Sequence, residues 1–134
     1  MFEELKEEDF SLIQKAKDII KANYDSQNYR HTVGCALRCA DGEIYLGVNV
    51  YLAHGACAEM IAMGTAITAG KREFECIVAI GGDNSDIIYS PCGNCRQMLV
   101  DYCPECFVII NTHEGIKKTK AKNLIPFAYE TPFS

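Results

Sequence analysis

The chain's 134 residues, 49% hydrophobic and 23% charged, are enough for one domain spanning 1–134 and too few for two comfortable cores. That composition excludes a disordered chain, the lack of any apolar run near ~20 residues excludes a spanning helix, and a net charge of −5 argues against a groove that tracks nucleic-acid phosphates. The start Met1-Phe2-Glu3-Glu4-Leu5-Lys6 is unlike a signal peptide, so a cytoplasmic location is expected, with the eight cysteines read as thiols or metal ligands and not as a disulfide framework.

Leu12, Ile13, Ala16, Ile19 and Ile20 recur at helical spacing and predict an amphipathic helix from about Asp9 to Asn23. Two strands follow, Thr32 to Cys39 and Glu43 to Val50, joined by the hairpin signal Asp41-Gly42. Gly55 then marks a loop before Cys57-Ala58-Glu59, and Met60, Ile61, Ala62, Met63, Ala66 and Ile67 form a helical run that Gly70 ends. Cys76 to Ile80 is apolar on both faces and reads as an inner strand covered by helices. Ser90-Pro91 opens another helix, Pro104 stops it, and Phe107 to Ile110 repeats the inner-strand character. The basic stretch Lys117 to Lys122 reads as a solvated segment before a last helix. This order indicates an α/β fold, a three-layer α/β/α domain with a mixed central sheet.

The chemistry is concentrated in two short motifs. Cys92 and Cys95 stand at i and i+3, so on one helical turn both sulfurs reach the same side and can clasp a single ion. Cys57 would be the third ligand of one Zn²⁺, leaving the fourth tetrahedral position open for solvent, the mark of a catalytic and not a structural site. Glu59 and Cys57 converge only at a helix start, which Gly55 and the apolar run after it provide. Three thiolates around Zn²⁺ leave a charge of minus one, which two helix N-termini of roughly half a positive charge each would offset. Arg96, next to Cys95, is expected to add a hydrogen bond to a sulfur.

Rival readings stand beside this one. Cys103-Pro104-Glu105-Cys106 is a second pair that, with Cys92 and Cys95, would make a closed four-cysteine site and a non-catalytic zinc-stapled binding module. Only residues 96 to 102 separate the pairs, however, short of the ~15 to 20 of such sites. His54 competes with Cys57 as a ligand, and Glu59 taken alone would be an ordinary first-turn carboxylate. Cys35, Cys39 and Cys76 lie in apolar stretches and are expected to be small core residues.

Cys57-Ala58-Glu59 followed by Pro91-Cys92-Gly93-Asn94-Cys95 resembles the paired zinc motifs of the cytidine deaminase superfamily. Together with Gly47-Val48-Asn49-Val50-Tyr51, Cys76 to Gly81 and Ser90 to Gln97, the resemblance runs from about Tyr29 to Tyr129 and is greatest to the blasticidin S deaminase branch. It implies hydrolytic deamination of the cytosine 4-amino group of a nucleoside or nucleoside antibiotic, with one Zn²⁺ per subunit on Cys57, Cys92 and Cys95 and Glu59 as proton shuttle. It further implies substrate contacts from His31, Asn49, Tyr51 and Tyr129, and a homotetramer, to which the nearly all-apolar helix Met60 to Ala69 would contribute. Typical cytidine deaminases carry a ribose-gripping Glu where Tyr51 stands and an Arg where Met60 stands; both departures are shared with the blasticidin branch. Asp83-Asn84-Ser85-Asp86 lacks the Arg the fungal enzyme has there, and Asn94 replaces another. Cytidine or deoxycytidine deamination in pyrimidine salvage is the alternative.

Overall fold

A computed structural model describes residues 1–82 and 87–132; Asp83-Asn84-Ser85-Asp86, where the fungal Arg is missing, lies outside the described residues. Among them five strands, β1 Val33–Cys39, β2 Ile44–Val48, β3 Phe74–Gly81, β4 Phe107–Thr112 and β5 Gly115–Lys120, form one sheet in the order β2-β1-β3-β4-β5. The sheet is mixed: β3 and β4 pair parallel, and the other neighbours pair antiparallel. Strand alternation sends Cys35, Leu37, Ile77, Val108 and Ile110 to one face and Ala36, Cys76, Val78, Ile80 and Ile109 to the other. Helix α1, Glu7–Asn23, covers the second face with Leu12, Ile13, Ala16 and Ile20. Helices α2, Ala58–Thr68, and α3, Gly93–Tyr102, cover the first with Ala62, Met63, Ala66 and Leu99. These are the three layers expected from the sequence, with Cys35, Cys39 and Cys76 buried as core residues.

Topology decides where the two helices begin. Gly34 of β1 faces Val48 of β2 on one side and Ile80 of β3 on the other, so β2 and β3 run the same way and end at the same edge. Each of them then feeds a helix that crosses back over the sheet, α2 after β2 and α3 after β3. Both N-termini therefore open at one edge, where crossover sheets place their crevices. Gly47 draws α2 close: a Cβ there would lie 2.5 Å from the Ala62 amide nitrogen and 2.8 Å from the Ala58 carbonyl oxygen. Only a residue without a side chain lets the helix sit so low on β2.

The basic stretch corrects the reading of a solvated segment. Lys117 and Lys118 lie within β5, and the expected last helix is a single 3-10 turn, Ala121–Leu124. The physical reason is charge pairing that the linear sequence hides. Lys118 is buried with its Nζ 2.8 Å from Oδ2 of Asp9, itself 0% exposed in the first turn of α1. Arg38 Nη2 donates to the other Asp9 oxygen at 2.9 Å, and the Lys6 amide donates at 2.9 Å. Lys117 pairs with Glu4, and Lys120 and Lys122 with Glu105. No helix among the described residues is long and apolar enough to cross a membrane.

Burial pushes the Asp9 carboxyl up, but hydrogen bonds from Lys118, the Lys6 amide and Arg38 outweigh it and hold the group below its ordinary value. A depressed carboxyl stabilises the fold above its unfolded-state pKa and ceases to do so as pH falls through the folded value. Asp9→Asn is therefore expected to lower the unfolding free energy at pH 7 by about 3 kcal/mol, because it leaves buried Lys118 without its counter-charge. In urea titrations the gap between variant and wild type should narrow below about pH 4; a constant gap across that range would refute the ion-pair origin.

Candidate active site

Cys57 is the N-cap of α2 and Cys92 the N-cap of α3, each with extended backbone (ψ 154° and 171°) before the first helical turn. Glu59 is the second residue of α2 and Cys95 the third of α3, so four chemically active side chains gather at two helix starts. Paired Val50–Ala56 hydrogen bonds of 2.9 and 3.0 Å tie off the loop between β2 and Cys57, fixing the approach to the helix. The helix was expected to open at Ser90-Pro91; it begins two residues later, which puts Cys92 at the cap.

The sulfurs of Cys57, Cys92 and Cys95 all lie within 4.8 Å of one another, the one cluster of metal-ligating side chains found among the described residues. A tetrahedral zinc with Zn–S bonds of about 2.3 Å separates its sulfurs by about 3.8 Å; Cys57 Sγ and Cys92 Sγ are 3.7 Å apart. Three sulfurs, one pair at that spacing and all within 4.8 Å, fit zinc in both chemistry and size. Cys103 and Cys106 are buried elsewhere, and exposed His54 is not in the cluster, so the four-cysteine and histidine rivals both fail on geometry.

Crowding the sulfurs splits their acidities. Burial, then Glu59, pushes the Cys95 thiol far up. Burial likewise raises Cys57. At Cys92 burial is outweighed by the Cys95 backbone N–H and the neighbouring thiols, and the group falls below its ordinary value. Cys92 is thus the most acidic of the three sulfurs, Cys57 and Cys95 give up their protons only with a cation beside them, and metal uptake releases protons. Glu59 is 6% exposed; burial raises its carboxyl, opposed by its own backbone N–H and the Cys95 thiol. A buried carboxyl raised in this way beside a metal-ligating sulfur cluster is suited to accepting and returning a proton.

A pocket of about 220 Å³ opens over Cys57, Glu59 and Cys92, walled by Val33, Asn49, Tyr89 and Ser90. It is smaller than the roughly 300 to 1,000 Å³ of drug-sized sites, so it suits one flat ring whose substituent points outward. Asn49 accepts from the Val33 amide at 3.1 Å through Oδ1 and donates to Thr32 Oγ1 at 3.1 Å through Nδ2. One of its two amide hydrogens remains for a ligand. His31 stands behind it, its Nδ1 donating to the Asn49 carbonyl at 2.9 Å, and Tyr51 lies 2.9 Å from Thr32 Oγ1. Neither of the two lines the pocket. Tyr129, 70% exposed, accepts from Gln97 Nε2 through its carbonyl and also lies off the pocket wall.

Arg96 departs from expectation. Its Nε donates to Pro91 O, and its other nitrogens to Leu124 O and Ser90 Oγ, each at 2.8 Å, with no sulfur among them. Two of the donors are directed at Ser90 and Pro91, just before Cys92, and the third ties them to the C-terminal 3-10 turn at Leu124, so the residue braces the loop and leaves the ligands to the helix amides. Val33, Tyr89 and Ser90 were not read from the sequence as pocket residues. Position next to Pro91 was a signal for Ser90, whereas Val33 and Tyr89 come into place only through strand pairing.

The family model for the cytidine and deoxycytidylate deaminase zinc-binding region matches residues 6–111. Blasticidin-S deaminase of Bacillus cereus is 36% identical over 134 aligned positions, covering 93% of this chain and 94% of that one. Cytidine deaminase of Sporosarcina psychrophila is 31% identical over 72% of this chain and 74% of its own. The crystal structure of cytidine deaminase from Burkholderia pseudomallei superposes with a TM-score of 0.73 at 30% identity, covering 93% of this chain and all of that one. This chain belongs to the cytidine and deoxycytidylate deaminase zinc-binding family.

Purified protein is expected to hold about one zinc per chain, the capacity of a single three-sulfur cluster. Cys92→Ala and Cys95→Ala should each lose that stoichiometric metal, and Cys103→Ala should keep it. Elemental analysis after dialysis reads all three, and full zinc in Cys95→Ala would rule out the cluster.

Proposed function

We propose that this chain is a zinc-dependent hydrolase that converts the cytosine 4-amino group of a nucleoside, or of a nucleoside antibiotic of the blasticidin S type, to the uracil analogue and ammonia. The observation that carries the proposal is Glu59, buried with a raised carboxyl at the mouth of a three-sulfur cluster and lining a pocket sized for one ring. Zinc on Cys57, Cys92 and Cys95 supplies the Lewis acidity that makes water a nucleophile near neutral pH. Glu59 takes a proton from the attacking water and places it on N3 of the ring. Once the water oxygen has bonded to C4, Glu59 takes the remaining proton from that hydroxyl and hands it to the amine, so that the C4–N bond breaks, ammonia leaves and the C4 carbonyl forms. Asn49 offers its free amide hydrogen to the part of the substrate that leaves the pocket, and His31 and Thr32 hold Asn49 in place. Tyr129, exposed beside α3, is the candidate to close over bound substrate.

The antibiotic-type substrate is preferred over cytidine because Tyr51 occupies the place of a ribose-gripping carboxylate and turns its hydroxyl to Thr32. Free small molecules are preferred over polynucleotides, since Lys117, Lys118, Lys120 and Lys122 are all drawn into ion pairs. Eight reduced cysteines support a cytoplasmic setting. A homotetramer is supported by the outward side of α2, where Met60, Ile61, Gly64 and Tyr45 border an apolar depression of about 600 Å³.

Wild-type protein is expected to deaminate blasticidin S faster than cytidine, deoxycytidine or cytosine, followed by the absorbance change on loss of the amine. Glu59→Gln should retain zinc while turnover falls at least about 10² to 10⁴-fold. Undiminished turnover in that variant would remove Glu59 from proton transfer; efficient use of cytidine would refute the role given to Tyr51.

A further inference from the structure

The segment just before the Pro91-Cys92 motif is zipped onto the end of β3. Gly81 N–H donates to Ile87 O at 2.8 Å, Tyr89 N–H donates to Ala79 O at 2.9 Å, and Ile80 stands opposite Ile88. Asn111 Nδ2 fastens the same segment by donating to Ile88 O at 3.0 Å. Side chains two apart across such a pairing share a face, so Tyr89 lies diagonally against position 81. Its ring fills the place where a side chain at 81 would be: a Cβ on Gly81 would meet ring carbon Cζ at 2.6 Å and the phenol oxygen at 2.7 Å. An aromatic side chain laid over a bare glycine is a recurrent device of sheets.

The placement has a chemical outcome. On its inner side, towards Ile77, Ala79, Pro91 and Val108, the ring leaves no room for a water molecule. Its outer side borders the pocket that Glu59, Cys57 and Cys92 share. Tyr89 is 39% exposed, more than a side chain serving only to fill the core requires. Flat heterocycles gain most from a rigid aromatic wall, and this one is pinned by backbone hydrogen bonds before any ligand arrives.

We propose that Tyr89 is a specificity-determining residue, its ring forming the wall that fits this pocket to a planar aminopyrimidine, and that Gly81 is the positioning residue that lets the ring lie there. The inference rests on the function proposed above and assigns the recognition of the ring itself. Glu59 and the sulfurs act at one edge of that ring; Tyr89 acts on its side.

The test is steady-state kinetics on zinc-loaded protein with blasticidin S and cytidine. Tyr89→Ala is expected to raise KM about tenfold or more, the loss typical when one aromatic face is withdrawn from a base, with a much smaller change in kcat. Tyr89→Phe, which keeps the ring, should recover most of that loss. Gly81→Ala should raise KM in the wild-type background by displacing the ring, yet add little in a Tyr89→Ala background, where nothing remains to displace. Equal zinc content and melting temperature separate these effects from misfolding; if Gly81→Ala does not fold, the Ala and Phe variants of Tyr89 still decide the matter. Wild-type turnover with KM unaltered in Tyr89→Ala overturns this inference alone, as do fully additive Gly81 and Tyr89 effects. A wild-type protein that deaminates no cytosine compound overturns the function reading and this inference with it.

Discussion

Everything at the site depends on two helix N-termini opening at one edge of one sheet. β2 and β3 end together because each pairs with β1 at Gly34, and each is followed by a crossover helix whose cap is a cysteine. The convergence brings sulfurs from chain segments 35 residues apart to 3.7 Å. Like groups so close repel once ionised, and the arrangement persists because the helix ends, with their unpaired N–H groups, favour negative charge there. The fold thus prepares a strongly electron-rich niche and offsets it with backbone dipoles.

Two buried carboxylates show how the same protein drives one kind of group in opposite directions. Asp9 is enclosed by Lys118, Arg38 and the Lys6 amide, so it stays ionised and pins α1 to β1 and to edge strand β5. Glu59 is enclosed with thiols and without a cationic side chain, so burial prevails and its acidity weakens. One carboxylate is a fixed tie of the scaffold; the other is left able to change its protonation. The difference lies in the neighbours, since desolvation acts on both.

Positions around the sulfurs divide by reach. Glu59, Tyr89 and Asn49 border the pocket, whereas His31, Thr32 and Tyr51 secure Asn49, and Arg96 secures the loop before Cys92. His31 adopts φ 53°, a left-handed conformation that non-glycine residues seldom take, at the point where its ring reaches the Asn49 carbonyl. Such backbone strain persists where surrounding contacts over-determine it. Rigid support behind a small pocket is what ring recognition needs, because a displacement of an ångström there would misalign the reacting edge.

The sequence alone determined the layers, the hairpin at Asp41-Gly42, the inner strands and the Cys92/Cys95 pair, because hydrophobic period and ligand spacing are local properties that need only neighbouring residues; Cys57, 35 residues from Cys92, was joined to that pair only by the resemblance of the two motifs to a known zinc site. The sequence misjudged the stretch from Lys117 to Lys122, where the partners of Lys117 and Lys118, Glu4 and Asp9, lie more than a hundred positions away, and it directed Arg96 at a sulfur when the nearer acceptors were Pro91 O and Ser90 Oγ. It passed over Tyr89 because an aromatic before a proline carries no periodic signal. Only the tertiary structure decided these, since strand pairing sets which distant charges meet, which glycine lies under which ring, and which side chains border the space beside the sulfurs.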